Sequence, residues 1–261
     1  MEKVDELGGE LHLLSNNAGG LGVGVGDKAA FDKIDPAFII KYNTTYISSL
    51  QLAYHYMTPL LAAGAKARGK PSVVVNVSSA ASVMPRCSAH VMGQYTVCKA
   101  AMDSMTRTAH SMYAAQNIKS YGVNPVVYES DMALAAGQDV GTDMEGIAAI
   151  FNPFGNVGKA SHLGSIVETW CTGTSAMDSG KHYMIVPLAN ETDKSILFSL
   201  ETARHAADSD DPLALQKAWL RAEGQAYDQT GKPIREVDLQ NFRTAIQAGI
   251  ELAEEEKKSE E

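Results

Sequence analysis

The sequence predicts an α/β protein built on a parallel sheet with helices on both of its faces. Between Leu11 and Val186, short runs rich in β-branched residues alternate with longer amphipathic stretches. That alternation is typical of βαβ units, in which each helix returns the chain to the starting edge of the sheet. The run Ser72–Val77 is almost continuously apolar, which indicates a strand buried on both sides.

The first half of the chain supplies two strands and two helices. Residues Glu10 to Ser15 form a short apolar run that ends in Asn-Asn-Ala-Gly at 16–19, which predicts a strand followed by a turn. Asp35-Pro36 joins an N-cap residue to a proline at the first helical position, and the apolar spacing that follows predicts a long helix. After the second strand, a loop is expected from Pro85 to Gly93 and a second helix from Tyr95 to Ala115.

The next stretch continues the same alternation. Ile118 to Val127 predicts a third strand, and Tyr128 to Phe154 is expected to be irregular with short helical pieces. Ala160 to Trp170 predicts a helix, and His182 to Val186 a final strand.

From Asn190 onward the residues are more charged and less often β-branched. Helices are predicted over Ser195 to Ala207, Pro212 to Gln225 and Asp238 to Lys257, with a solvated, frayed tail from Glu254. We therefore expect an α/β domain over residues 1–190 and a helical, acidic C-terminal extension over residues 191–261.

Charge and composition exclude several classes of function. A net charge of −9 argues against nucleic acid or an anionic membrane surface as a partner. The seven histidines lack metal-binding spacings, so no metal site is expected. The three cysteines form no CxxC pair, the N-terminus lacks an apolar signal region, and no apolar run is long enough to span a membrane. These features predict a cytoplasmic protein.

Tyr95 and Lys99 form the strongest chemical signal. They are four residues apart, so on a helix both side chains project from one face. An ammonium group near a phenol favours the phenolate, and we therefore expect Lys99 to lower the pKa of Tyr95 towards useful acid–base strength. Ser79 closes the buried strand and is expected to hold a substrate oxygen beside Tyr95.

The order of these motifs resembles the short-chain dehydrogenase/reductase family. The resemblance covers Leu11 to Met132 and continues more faintly to Val186. It is carried by Asn-Asn-Ala-Gly, a helix-borne Asn43, the strand end Val-Asn-Val-Ser-Ser, Tyr-x-x-x-Lys and the pair Asn124-Pro125. It implies a Rossmann-like fold, a small alcohol or carbonyl substrate, NAD or NADP as cofactor, and a homo-oligomer.

The resemblance also assigns roles to residues. It implies a catalytic tetrad in which Tyr95 is the general acid–base, Ser79 binds the carbonyl, Lys99 also holds the nicotinamide ribose, and Asn43 anchors a proton-relaying water. The residues expected to bind the cofactor are Asn17, Ala18, Gly19, Tyr95, Lys99, Pro125 and Ser130.

The sequence departs from the family pattern at several places. No Thr-Gly-x-x-x-Gly-x-Gly turn precedes Asn16, so we expect an N-terminally truncated fold whose first strand lies at a sheet edge. Val126 stands where the family has glycine and is expected to crowd the nicotinamide pocket. The long Ser79 to Tyr95 interval leaves Ser82 as a rival catalytic serine. A non-catalytic relative that acts as a subunit or binding protein is the alternative function.

Overall fold

The computed structural model describes residues 8–20, 30–83, 85–151, 156–187, 195–199, 217, 226–228 and 230–260. Its strands are β1 (Leu13–Asn16), β2 (Ser72–Val77), β3 (Ile118–Pro125), β4 (His182–Pro187), β5 (Ser195–Ser199) and β6 (Ala226–Asp228). Its α-helices are α1 (Pro36–Tyr42), α2 (Ser49–Arg68), α3 (Pro85–Tyr113), α4 (Asp131–Val140), α5 (Met144–Phe151), α6 (Ala160–Thr172) and α7 (Glu236–Glu260). A π-helical segment (Asn43–Ser48) joins α1 to α2, and a 3-10 turn (Ala80–Ser82) follows β2.

The strands form one sheet in the order β1-β2-β3-β4-β5-β6. The first four run parallel, whereas β5 and β6 are antiparallel to their neighbours. The predicted parallel, Rossmann-like sheet is therefore confirmed, and β1 lies at its edge in the part of the chain that the structure describes. The parallel strands bring their carboxyl ends to one edge, which is where such sheets bind ligands.

Both faces of the sheet are covered, as the apolar run in β2 predicts. Val74 packs on one side in a cluster with Leu50, Leu61 and Met102 from α2 and α3. Val73 and Val75 point to the opposite side and pack against Ile166 and Trp170 of α6, among other residues. Because successive strand residues face opposite sides, β2 has to be apolar throughout.

Helix boundaries confirm one prediction and correct another. Asp35 caps α1, where its Oδ1 accepts a hydrogen bond of 2.8 Å from the backbone N–H of Ala37. The predicted loop from Pro85 to Gly93 is instead the first part of α3. Proline is favourable in the first turn of a helix, where its missing N–H has no intrahelical partner to lose.

The C-terminal part differs from its prediction at two places. Ser195–Ser199, expected to open a helix, forms β5, and Leu197 at its centre is fully buried beside β4. A short apolar run carries too little periodicity to separate a helix from a strand. Helix α7 confirms the helix expected from Asp238 but continues to Glu260, where a frayed tail was expected.

The rest of that region keeps its predictions untested. Most of the helix predicted over Pro212 to Gln225 lies outside the described residues. So does the end of the helix predicted over Ser195 to Ala207. A separate unit over residues 191–261 stays a prediction.

Replacing Gly122 with alanine is expected to lower the free energy of unfolding by about 2 kcal/mol through overpacking. Gly122 pairs with His182 across β3 and β4, and a Cβ atom there would lie 1.9 Å from His182 Nδ1. The ring cannot turn aside easily, because its Nε2 lies 2.9 Å from the carbonyl oxygen of Asp103.

Urea denaturation of the Gly122→Ala variant measures this loss. Gly164→Ala in α6 is the matched control, since a Cβ atom there meets nothing within 4 Å, and alanine raises helix propensity. Equal urea midpoints for Gly122→Ala and the unsubstituted chain would contradict the steric argument.

Candidate active site

A cavity of about 290 Å³ lies where the carboxyl ends of β1, β2 and β3 meet. Seven of the predicted site residues line it, namely Asn17, Gly19, Ser79, Tyr95, Lys99, Pro125 and Ser130. Ala18 lines a smaller adjacent cavity of about 150 Å³, which shares Asn17 and Tyr46 with the larger one. Residues far apart in sequence therefore meet at one edge because the strands that precede them are parallel.

Tyr95 lies in the buried wall of this cavity, with 5% of its surface exposed. Burial raises the pKa of Tyr95 to about 12, a hydrogen bond with Ser79 opposes that rise, and Tyr42 adds to it. The net direction is opposite to the expected lowering by Lys99, because removing the phenolate from water is the largest effect. Tyr95 is consequently protonated at neutral pH in this structure.

Lys99 stands one helical turn beyond Tyr95 and is equally buried. Its Nζ donates a hydrogen bond of 2.7 Å to the carbonyl oxygen of Val77, at the end of β2. The same Nζ lies 5.0 Å from the ring centroid of Tyr46 and 5.5 Å from that of Tyr95, within cation–π range. Burial lowers the pKa of Lys99 to about 8, and Asp103 is the main group that opposes the change.

The two rival serines occupy different surroundings. Ser79 lines the cavity, lies close enough to Tyr95 to lower the pKa of its phenol, and accepts a bond of 3.2 Å from the N–H of Ala81. Ser82 instead donates a bond of 2.7 Å to Asp103 Oδ2 below the cavity. The 3-10 turn and the early start of α3 take up the long interval, so Ser79 remains beside Tyr95.

Asn43 is near the site but does not line the cavity. It opens the π-helical segment, and its Oδ1 accepts a hydrogen bond of 3.0 Å from Gln94 Nε2. The Sγ of Cys98 lies 3.7 Å from the same oxygen. The structure therefore brings Asn43 against the residues that directly precede Tyr95 and Lys99 in the sequence.

Tyr46 is a site residue that sequence reasoning missed. Its hydroxyl lies 2.6 Å from the amide nitrogen of Gly20 and 2.7 Å from its carbonyl oxygen, so it fastens the turn after β1. A Cβ atom on Gly19 would stand 2.5 Å from the Tyr46 ring, which explains why position 19 needs glycine. The only sequence signal is its place one turn after Asn43, where it fits the apolar spacing of the predicted helix.

The part of the cavity lining that residues 125–163 provide is largely apolar. Ser130 at its rim caps α4, because its hydroxyl accepts a bond of 3.2 Å from the N–H of Ala133. Val126, expected to crowd this region, does line the cavity. The other apolar lining residues of this part are Val127, Tyr128, Met132, Ala133, Ala136, Ile147, Ala160 and Leu163.

Within the described ranges, no three His, Cys, Asp or Glu side chains are grouped so that they could hold a metal ion. Across that part of the chain, every helix is too short or too polar to cross a bilayer.

Solved structures with the same fold are reductases and related proteins. The 3-ketoacyl-(acyl-carrier-protein) reductase from Brucella melitensis, complexed with NADH, is 18% identical, with a TM-score of 0.57 over 73% of this chain and 71% of that one. An RhlG/NADP active-site complex from Pseudomonas aeruginosa is 20% identical, with a TM-score of 0.57 over 72% and 69%. L-sorbose reductase from Gluconobacter frateurii, complexed with NADPH and L-sorbose, is 21% identical, with a TM-score of 0.56 over 71% and 68%.

These likenesses establish the fold, and a sequence profile establishes the family. No curated protein sequence matches the chain. The profile described as short chain dehydrogenase matches residues 1–141, which is more than half of the 261 residues. That match includes the turn after β1, Ser79, and the Tyr95 and Lys99 pair that line the cavity. The chain therefore belongs to the short-chain dehydrogenase family and is an oxidoreductase by descent.

Proposed function

We propose that this protein is an NAD(P)-dependent oxidoreductase that interconverts a small alcohol and the corresponding carbonyl compound. The observation that carries the proposal is the group formed by Ser79, Tyr95 and Lys99 in one cavity. The Ser79 hydroxyl lies close enough to Tyr95 to lower the pKa of its phenol, and the Lys99 ammonium lies 5.5 Å from the centre of the Tyr95 ring. A proton donor, an oxygen-binding hydroxyl and a fixed positive charge thus converge at the edge of the sheet where ligands bind.

Each of these residues takes one part of the reaction. Ser79 donates a hydrogen bond to the substrate oxygen, and Tyr95 transfers a proton to that oxygen or removes one from it. Lys99 stabilises the phenolate that remains after Tyr95 has given up its proton. Asn43 lies outside the cavity and anchors the water that relays protons. Its contact with Gln94, the residue before Tyr95, supports this role.

The residues at the cavity fit the nicotinamide end of the proposed cofactor. Lys99 has three donors, and its one bond to Val77 leaves others for ribose hydroxyl groups. Asn17, Gly19, Pro125 and Ser130 line the same space, and Ala18 lies in the adjoining cavity. The bound nicotinamide would supply or accept the hydride at the substrate carbon. Titration with NADH and with NADPH distinguishes the two possible cofactors.

The protonation state of Tyr95 defines its part in each direction of the reaction. With its pKa at about 12, Tyr95 starts as a proton donor at neutral pH. A carbonyl compound needs a donor when it is reduced, whereas an alcohol needs an acceptor when it is oxidised. Protonated Tyr95 is thus the form that acts in carbonyl reduction, and its phenolate is the form that acts in alcohol oxidation. Cys98 and Cys171 are free thiols, which supports a reducing compartment such as the cytoplasm.

Calorimetric titration of the purified chain with NADH and NADPH tests the proposal. We expect one of the two to bind with a Kd on the order of micromolar, and a screen of small ketones and aldehydes should then reveal turnover. A folded chain that binds neither nucleotide would contradict the proposed enzymatic function. It would favour the alternative, a non-catalytic relative that serves as a subunit or binding protein.

We also propose that the protein is a homo-oligomer that uses the outer faces of α2 and α3. Leu52 and Tyr56 are one turn apart on α2 and are 53% and 46% exposed, and Val97 on α3 is 45% exposed. Exposed apolar groups of this size favour association with a second copy. Light scattering should give a multiple of the monomer mass, reduced by Leu52→Asp. A monomer at every concentration would contradict this part of the proposal.

A further inference from the structure

A second group of polar side chains is buried directly below the cavity. It consists of Asp103 on α3, Asn124 near the end of β3 and His182 at the start of β4, which are 2%, 0% and 4% exposed. Fully buried ionisable groups are costly unless they are paired and hydrogen-bonded. The reaction steps above use none of these three residues, so their retention in the core calls for a separate explanation.

The contacts of His182 define the charge of the pair. Its Nδ1 lies 3.2 Å from Asp103 Oδ1 and 3.0 Å from Asn124 Oδ1, and its Nε2 lies 2.9 Å from the carbonyl oxygen of Asp103. Both ring nitrogens therefore face hydrogen-bond acceptors. A neutral imidazole has only one N–H, so this arrangement is satisfied by the doubly protonated imidazolium beside an ionised Asp103.

The orientation of Asn124 follows from its other contacts. Its Nδ2 lies 3.0 Å from the carbonyl oxygen of Ser79 and 3.2 Å from Asp103 Oδ1, both of which accept hydrogen bonds. Turning the amide over would place its oxygen against these two acceptors. The Nδ2 atom must therefore face Ser79, and Oδ1 must face His182.

These contacts connect the ion pair to both ends of the turn that carries Ser79. Asn124 holds the Ser79 carbonyl oxygen, and Asp103 accepts a bond of 2.7 Å from the Ser82 hydroxyl. The turn between these two serines sets the direction of the Ser79 side chain, which accepts a bond from the N–H of Ala81 and lines the same cavity as Tyr95. Asp103 also lies one helical turn beyond Lys99, so the same carboxylate is the nearest buried counter-charge on α3.

We propose that Asp103 and His182 form a buried ion pair that, through Asn124, positions the Ser79 hydroxyl for proton transfer at Tyr95. The three residues are positioning residues, since none of them lines the cavity. The proposal rests on the function proposed above for its catalytic consequence. Its structural part, a charged His182 that fixes the Ser79–Ser82 turn, can be measured without any turnover.

The first measurement is the ¹⁵N spectrum of the His182 ring in the unsubstituted protein at neutral pH. We expect both ring nitrogens to carry a proton, and Asp103→Asn should remove one of them. A neutral His182 ring in the unsubstituted protein would overturn the ion pair, whatever the variants do.

The second measurement is amide hydrogen exchange of the segment Ser79–Val83. Asp103→Asn, His182→Gln and the milder Ser82→Ala should each speed this exchange by about tenfold or more, through the loss of a hydrogen bond. His110→Gln is the matched control: it removes a histidine of α3 that bonds to Ser179 at 2.9 Å, and it should leave the segment unchanged. Unchanged exchange in the folded Ser82→Ala variant would overturn the positioning of the turn.

Kinetics complete the test. Loss of positioning should lower kcat by about tenfold or more, because small displacements of reacting groups are costly, while KM for the nicotinamide cofactor stays nearly constant. A normal kcat in folded Asp103→Asn would overturn the catalytic consequence. If the unsubstituted protein reduces no carbonyl compound, the proposed function fails, and the spectrum and the exchange rates still decide on the ion pair and the turn.

Discussion

Tyr95→Phe is expected to lower the rate of carbonyl reduction about a thousandfold, the middle of the usual range for loss of a general acid. The change removes only the hydroxyl group. The ring keeps its edge contact with Tyr46, at 5.7 Å between centroids, and its place in the core. NAD(P)H consumption measures the rate, and calorimetry should show cofactor binding changed by less than about threefold.

Tyr56→Phe is the control for this prediction. Tyr56 is a half-exposed tyrosine on α2 that does not line the cavity, so its hydroxyl should be dispensable. If Tyr95→Phe and Tyr56→Phe retain equal activity, the proton at the substrate oxygen comes from another group.

Lys99→Met is expected to raise the free energy of unfolding by about 2 kcal/mol at neutral pH while it abolishes activity. Burial lowers the pKa of Lys99 from its ordinary 10.5 to about 8. Keeping the charged side chain in the core therefore costs the folded state at most about 3 kcal/mol at neutral pH. Loss of the bond to the Val77 carbonyl oxygen reduces that gain. A nonpolar side chain of similar length would fill the same space without the charge.

The pH dependence gives the sign of this effect. Between pH 8 and 10.5 the unfolded chain holds the Lys99 proton and the folded chain releases it. Lys99 should therefore make the free energy of unfolding of the unsubstituted protein increase with pH over this window. The Lys99→Met variant should lack this increase. Urea denaturation across that range measures the difference. Lys66→Met, at an exposed position of α2, is the control, and a Lys99→Met variant less stable than the unsubstituted chain would refute the account.

The sequence was sufficient for the parts of the fold that local pattern determines. The apolar run of β2 implied helices on both faces, and the spacing of Tyr95 and Lys99 implied a shared helix face. Pro85 fits a loop and also the first turn of a helix, and the structure has the helix. The segment Ser195–Ser199 is too short for its hydrophobic period to distinguish a helix from a strand. These errors arise where one local pattern fits two structures.

The site itself depended on contacts that the sequence does not display. The parallel strands made it predictable that Asn17, Ser79 and Pro125 meet, since each lies at or just after the end of a strand. The direction of the Tyr95 pKa was wrong because burial, which exceeds the effect of Lys99, is a tertiary property. Asp103 and His182 are 79 residues apart and touch because α3, which carries Asp103, packs on β3, and β3 is the neighbour of β4.

The π-helical segment Asn43–Ser48 has a consequence for how this helix can change by mutation. A π turn closes its hydrogen bonds one residue further along than an α turn, so the segment resembles a one-residue insertion into a continuous helix. Because a π turn accommodates its extra residue locally, deleting one codon there would restore an α-helix, and only the residues of the segment itself would change direction. Leu50 and Tyr54 would stay in the core while Asn43 left Gln94. A single-codon deletion in this segment would therefore disturb the surroundings of the active site more than the fold.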